Sequence, residues 1–239
     1  MYANCNIINS KNRHLFTFIM LHPMQCDSNY FNDFLEYFER IHKAKYLYDS
    51  IKFIFPESPI MDIDYPKNKQ YNVKSWYNYY TCYDNLNKID KINVQDFERS
   101  SERIINIVYN EAFILNNFSS IYLFGVSQGG TLLFHILNNL PSSIGGIYCI
   151  KTIYMDKYIK LKNNKKTPLF IFCGAKDNIY NYKFQKICYE KLKKRKYNIN
   201  KTIIDHLDHH SISKYEHNFI INNFINNLKG SKIQIISKN

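Results

Sequence analysis

Long apolar runs are missing from this chain. No stretch of its 239 residues approaches the roughly 18–20 consecutive apolar residues that a membrane-spanning helix requires. The opening Met1-Tyr2-Ala3-Asn4-Cys5-Asn6 has neither a basic start nor an apolar core, so no secretory signal is expected. The six cysteines (Cys5, Cys26, Cys82, Cys149, Cys173, Cys188) are scattered, with no C-x-x-C pair. That spacing argues against a disulfide framework and for a soluble protein of a reducing, cytoplasmic compartment. No repeat period and no long low-complexity tract is present. Glycine is scarce, with 7 residues in all.

What is there is a core. Hydrophobic residues make up 45% of the chain, enough to bury a sizeable interior without disulfides or metal. The length fits one α/β domain, 1–239, better than two small ones. The net charge of +12 raises nucleic acid or an anionic membrane as partners. The lysines are spread along the chain, however, and no nucleic-acid-binding motif accompanies them, so no nucleic-acid role is expected. The one dense cluster, Lys191-Leu192-Lys193-Lys194-Arg195-Lys196, closes a helical pattern, where cations suit the helix dipole.

Short, nearly continuous apolar runs mark strands at Leu15–Leu21, Ile51–Phe55, Ile121–Gly125, Gly145–Ile150, Pro168–Cys173 and Lys201–Ile204. Such runs suit strands buried on both faces of a parallel sheet. Between them, apolar residues recur at helical spacing: Phe31, Phe34, Leu35, Phe38, Ile41; then Ile104, Ile105, Val108, Ala112; then Ile221, Phe224, Ile225, Leu228. Alternating strands and helices predict a doubly wound α/β architecture. Residues 57–94 break the rhythm, with Pro59, Pro66 and a concentration of aromatics (Tyr65, Tyr71, Trp76, Tyr77, Tyr79, Tyr80, Tyr83). This is read as an irregular insertion.

Three of the seven glycines fall in Gly125-Val126-Ser127-Gln128-Gly129-Gly130, between an apolar strand and an apolar helix. G-x-S-x-G in that setting is a nucleophile elbow: the serine sits on a tight turn and small neighbours prevent clashes. The helix start beyond it offers free N–H groups and a positive dipole end, both suited to an oxyanion. A phosphate-binding loop would need a lysine where Gly130-Thr131 stands.

A serine needs a base, normally a histidine oriented by a carboxylate, and in strand–elbow–helix hydrolases the order is Ser, acid, His. After Ser127, the apolar run Pro168–Cys173 ends at Gly174-Ala175-Lys176-Asp177, which places Asp177 at the carboxyl edge of the sheet. Asp156 is a weaker rival. The segment Asp205-His206-Leu207-Asp208-His209-His210-Ser211 offers three histidines in a loop, a setting for one catalytic imidazole rather than for a metal. The second oxyanion donor, besides the Gln128 N–H, is expected from the loop after an early strand, His22-Pro23-Met24-Gln25, with the Met24 N–H as its candidate and His22 as a brace.

These residues resemble the acyl-protein thioesterase, or carboxylesterase/lysophospholipase, family of α/β-hydrolases. Leu21-His22-Pro23-Met24-Gln25 stands in the place of that family's L-H-G-x-G, and Phe55-Pro56-Glu57-Ser58-Pro59 in that of C-P-x-A-P. Ser75-Trp76-Tyr77-Asn78 is similar to S-W-F/Y-D, the elbow to G-F-S-Q-G-G, and Gly174–Asp177 to H-G-x-x-D. His209-His210-Ser211 falls where the family has G-H-S or M-H-S, which selects His210 as base. The resemblance implies an α/β-hydrolase fold with a mostly parallel sheet and a triad of Ser127, Asp177 and His210. It implies an oxyanion hole of Met24 and Gln128 amides, with Trp76 and Tyr77 against the acyl chain. It also implies S-acylated proteins or acyl lipids as substrates, peripheral membrane contact, and no cofactor or metal. Pro23 and Gln25 replace both loop glycines, and Asn78 replaces an aspartate.

Overall fold

The computed structural model describes residues 2–64, 69–84 and 86–230. Among the described residues nine strands are formed: β1 (Cys5–Ile8), β2 (Phe16–Leu21), β3 (Ile51–Pro56), β4 (Ile60–Ile63), β5 (Gln70–Lys74), β6 (Ile121–Val126), β7 (Gly146–Ile150), β8 (Leu169–Gly174) and β9 (Ile199–Ile204). Six α-helices accompany them: α1 (Asn32–Glu39), α2 (Lys45–Asp49), α3 (Val94–Leu115), α4 (Gln128–Asn139), α5 (Tyr182–Lys194) and α6 (Lys214–Gly230). Seven strands make one sheet in the order β1-β3-β2-β6-β7-β8-β9, parallel except for β1. All six strands expected from apolar runs are present, with ends shifted by a residue or two. The exposed edge strand β1 and the separate antiparallel ribbon β4–β5 were not expected. The ribbon gives part of the 57–94 insertion regular structure, while Tyr65 and Pro66 lie outside the described residues.

The alternation of side chains along each strand divides the core by chemistry. One face of the sheet carries Ile19, Leu21, Leu123, Ile147, Cys149 and Ile171 beneath α3, α4 and α5. The other carries Phe18, Phe124, Tyr148 and Phe172 beneath α1 and α6. On that aromatic face Phe224 of α6 meets Phe16, Phe18 and Tyr122 edge-on, at centroid distances of 5.3, 4.8 and 5.0 Å. Each such pair contributes about 0.5–1.5 kcal/mol beyond its burial, so Phe224 anchors α6 and with it the loop that precedes it.

Strand order sets the position of the site. From β2 the chain goes to β3 on one side, then to β6 on the other, so the order in which strands are added reverses between the parallel neighbours β2 and β6. In open α/β sheets ligands bind at the carboxyl ends of the strands at such a switch point. The residues leaving those two strand ends are His22–Gln25 and Ser127.

Candidate active site

Ser127 follows β6 with φ 50° and ψ −118°, a conformation that costs a non-glycine residue about 1–3 kcal/mol and that its surroundings hold in place. Its N–H donates to the Ile150 carbonyl (2.9 Å), and its own carbonyl accepts from the Thr152 hydroxyl (2.8 Å). The tight turn needs the glycines for close approach: a Cβ on Gly125 would lie 2.6 Å from the Gly129 carbonyl oxygen, and one on Gly129 2.6 Å from that of Leu21.

Asp177 lies in the loop beyond β8, as its position at a strand end predicts. It is 4% exposed, yet its carboxylate is well supplied with donors. Oδ1 accepts from the amides of Ile179 (3.0 Å) and Tyr180 (2.7 Å), and Oδ2 from the Gln185 side-chain amide (3.2 Å). Oδ2 is also 2.9 Å from Nδ1 of His209, whose Nε2 is 2.9 Å from Ser127 Oγ. A carboxylate only accepts, so Nδ1 carries the proton and Nε2 is left to take one from the serine. The Tyr180 ring meets the imidazole edge-on at 5.5 Å.

The histidine that reaches the serine is therefore His209, and the expectation of His210 is corrected. The reason is local. Leu207 is buried and His209 half-buried, while Asp208 and His210 are exposed, His210 at the rim of the cavity above Ser127. The Asp208 carboxylate fixes this by accepting from the amides of His210 (3.0 Å) and Ser211 (2.8 Å) and from the Ser211 hydroxyl (2.8 Å). Asp156 lies away from this site, paired with Lys191 at 2.8 Å.

Over residues 3–228 the chain matches the model of the phospholipase/carboxylesterase family. It belongs to that family. Acyl-protein thioesterase 1 of Debaryomyces hansenii is 27% identical over 146 residues, which cover 58% of this chain and 60% of that protein. The match thus spans less than two thirds of that relative's length. Among solved structures, Arabidopsis thaliana SOBER1 superposes with a TM-score of 0.74 at 18% identity, covering 89% of this chain and 99% of its own. Zea mays acyl-protein thioesterase 2 superposes with a TM-score of 0.74 at 15% identity, covering 94% and 98%. The phospholipase/carboxylesterase chain thus has the α/β-hydrolase fold expected from its elbow.

Against that family's pattern, the loop after β2 is held by other means than glycine. Gln25, in the place of the second loop glycine, has φ 65°. The left-handed region costs a side-chain-bearing residue roughly 1–2 kcal/mol. The β4–β5 ribbon offsets this: the Gln25 amide donates to the Lys74 carbonyl (2.8 Å) and its side chain to Gln70 Oε1 (2.7 Å). His22, fully buried, accepts at Nε2 from the Ser58 amide (3.0 Å), so its Nδ1–H donates to the Pro23 carbonyl (2.7 Å). Burial lowers its pKa and keeps it neutral. It is the expected brace.

Trp76 and Tyr77 need correction. Both are fully buried, and neither is among the residues lining the cavity above Ser127. Trp76 Nε1 donates to the His22 carbonyl (2.8 Å), and the Gln128 side chain accepts from the Trp76 amide (2.9 Å) and donates to the Tyr77 carbonyl (3.0 Å). They tie the loop after β2 to the elbow, so their large rings serve the core and the scaffold. The cavity, about 470 Å3, is instead walled by Met24, Tyr30, Tyr79, Ile179 and Tyr180, with Asp90 at its side. Burial pushes the Asp90 carboxyl up to about 6. Met24 and Gln128 border the same cavity as Ser127 and His209. Tyr79 comes from the aromatic-rich insertion, whereas Gln185, Thr152 and Tyr180 were not singled out from the sequence, because nothing in their local pattern separates them from core residues. No group of three or more His, Cys, Asp or Glu side chains among the described residues is placed to hold a metal ion.

Proposed function

We propose that this protein is a serine acyl hydrolase that cleaves acyl thioesters or esters, with S-acylated proteins as its main substrates. The observation that carries the reading is the chain of contacts Ser127 Oγ–His209 Nε2–Asp177, each 2.9 Å, at the sheet's switch point. His209 takes the Ser127 proton as Oγ attacks the acyl carbonyl, and Asp177 stabilises the imidazolium that forms. The amides of Met24 and Gln128 meet the oxyanion, each worth about 3 kcal/mol in the transition state. Collapse expels the thiol or alcohol with the proton from His209. Water, deprotonated by the same imidazole, then releases the fatty acid and restores Ser127.

The substrate class is supported by the thioesterase names of the relatives and by a cavity whose walls are mainly apolar and aromatic. The six cysteines are free thiols, which supports a reducing, cytoplasmic setting. Among the described residues no helix is long and apolar enough to cross a membrane. Any membrane contact during the encounter with acylated substrates is therefore peripheral in this reading. The deciding experiment is hydrolysis of octanoyl thioester and octanoyl ester by wild type and Ser127→Ala. Turnover of either, lost in the variant, is expected; equal rates in both proteins would refute the serine mechanism.

A further inference from the structure

Lys151 is the first residue after β7, and it is unusual in three ways. Its φ is 46°, in the left-handed region that long side chains seldom adopt. It is fully buried. And its ammonium faces two partners on the segment that carries the base: Nζ lies 3.0 Å from Glu216 Oε2, in the first turn of α6, and donates to the carbonyl of Ser211. Glu216 is itself buried, and apart from the Lys151 ammonium its Oε2 has no hydrogen-bonding partner among the described residues, so the Lys151 charge is what compensates it.

The neighbours of Lys151 in the chain hold the nucleophile. Ile150 accepts from the Ser127 amide, and Thr152 donates to the Ser127 carbonyl. The tripeptide 150–152 thus grips the elbow on both sides of Lys151, while the lysine side chain reaches across to the base loop. Ser211, two residues beyond His209, is held at both ends: its amide and hydroxyl by Asp208, its carbonyl by Lys151. A buried ion pair is a poor source of stability, since well-packed apolar residues of similar volume do as well or better. What this pair supplies is a fixed distance between two loops.

We propose that Lys151 is a positioning residue for the reaction: its ammonium, with Glu216 as counter-charge, clamps the Ser211 carbonyl and thereby sets His209 against Ser127 Oγ. The inference rests on the serine hydrolase reading above. It concerns geometry and involves no proton transfer from the lysine.

The test compares wild type, Lys151→Arg and the double variant Lys151→Met/Glu216→Met. The single Lys151→Met would leave Glu216 buried without its counter-charge, whereas the double variant removes both charges and keeps the volume. Expected for the double variant is a melting temperature near wild type, an unchanged KM and a kcat lowered by about 10–100-fold, the range for a misplacement of about 1 Å. Amide hydrogen exchange over residues 205–213 should accelerate, and Lys151→Arg should recover much of the kcat. A double variant with wild-type kcat would overturn the proposal. Should wild type itself show no Ser127-dependent turnover, the hydrolase reading fails, and exchange over 205–213 still judges the clamp: unchanged protection in the double variant refutes it.

Discussion

The two adjacent histidines permit a sharp test of the site. In His209→Ala the imidazole that bridges Ser127 and Asp177 is removed, and with it the only base within 2.9 Å of Oγ among the described residues. Loss of a triad base costs about 10⁴–10⁶ in kcat, which at 1.36 kcal/mol per decade is about 5–8 kcal/mol of transition-state stabilisation. The fold should survive, because Asp177 keeps three donors, the amides of Ile179 and Tyr180 and the side chain of Gln185. In His210→Ala only an exposed ring is lost, together with its edge contact to His209 at 5.3 Å; the amide that Asp208 accepts from remains. Its kcat should fall far less than that of His209→Ala, within about tenfold of wild type (about 1.4 kcal/mol), because its ring borders the cavity but bonds neither Ser127 nor Asp177. The assay is steady-state hydrolysis of an acyl thioester, with melting temperatures of both variants measured alongside. An inactive His210→Ala beside an active, folded His209→Ala would show that the loop turns over in solution and that the assignment is wrong.

Two further outcomes are expected. A methyl group at Gly129 would lie 2.6 and 2.7 Å from the carbonyl oxygens of Leu21 and His22, so Gly129→Ala should push the elbow away from the end of β2. Stability should fall by about 1–3 kcal/mol; unchanged melting temperature and turnover together would contradict that packing. Glu111, buried in α3, accepts from Lys52 (2.6 Å), Thr17 (2.7 Å) and Tyr2. Burial pushes its carboxyl up, but those partners outweigh burial and hold it below the ordinary value of 4.5. Its ionised form therefore stabilises the fold above that value, and the contribution is lost as pH falls through the lower folded pKa. Urea midpoints measured from pH 3 to 7 should decline more gently on the acid side in Glu111→Gln than in wild type, and parallel curves would refute this.

The architecture was legible because its signals are local. Apolar runs such as Ile121–Val126 and Leu169–Gly174 are buried on both faces and so carry no polar interruptions, and the elbow concentrates glycine where a backbone crossing requires it. Strand β1 was not, since Asn6 and its exposed neighbours on an edge strand have no burial pattern to betray them. The position of the base was misread because the choice between His209 and His210 depends on which way a turn faces. That direction is set by Asp208 and by packing of Leu207, neither of which leaves a spacing signature. Trp76 was misread for a related reason: a large aromatic near an active site has the same composition whether it lines a cavity or, as here, props up a loop through its indole N–H.

The contacts that define the site join distant parts of the chain. Ser127 and His209 are 82 residues apart, Asp177 and His209 are 32 apart, and the Trp76 amide reaches Gln128 across 52. Parallel pairings of this kind require long loops to close before any contact rewards them, which slows folding and leaves the closing steps late. Helices and even the elbow's strand can form in a partly folded chain without bringing an imidazole near the serine. The proposed triad is therefore assembled only once the strands that carry its three loops stand side by side in one sheet.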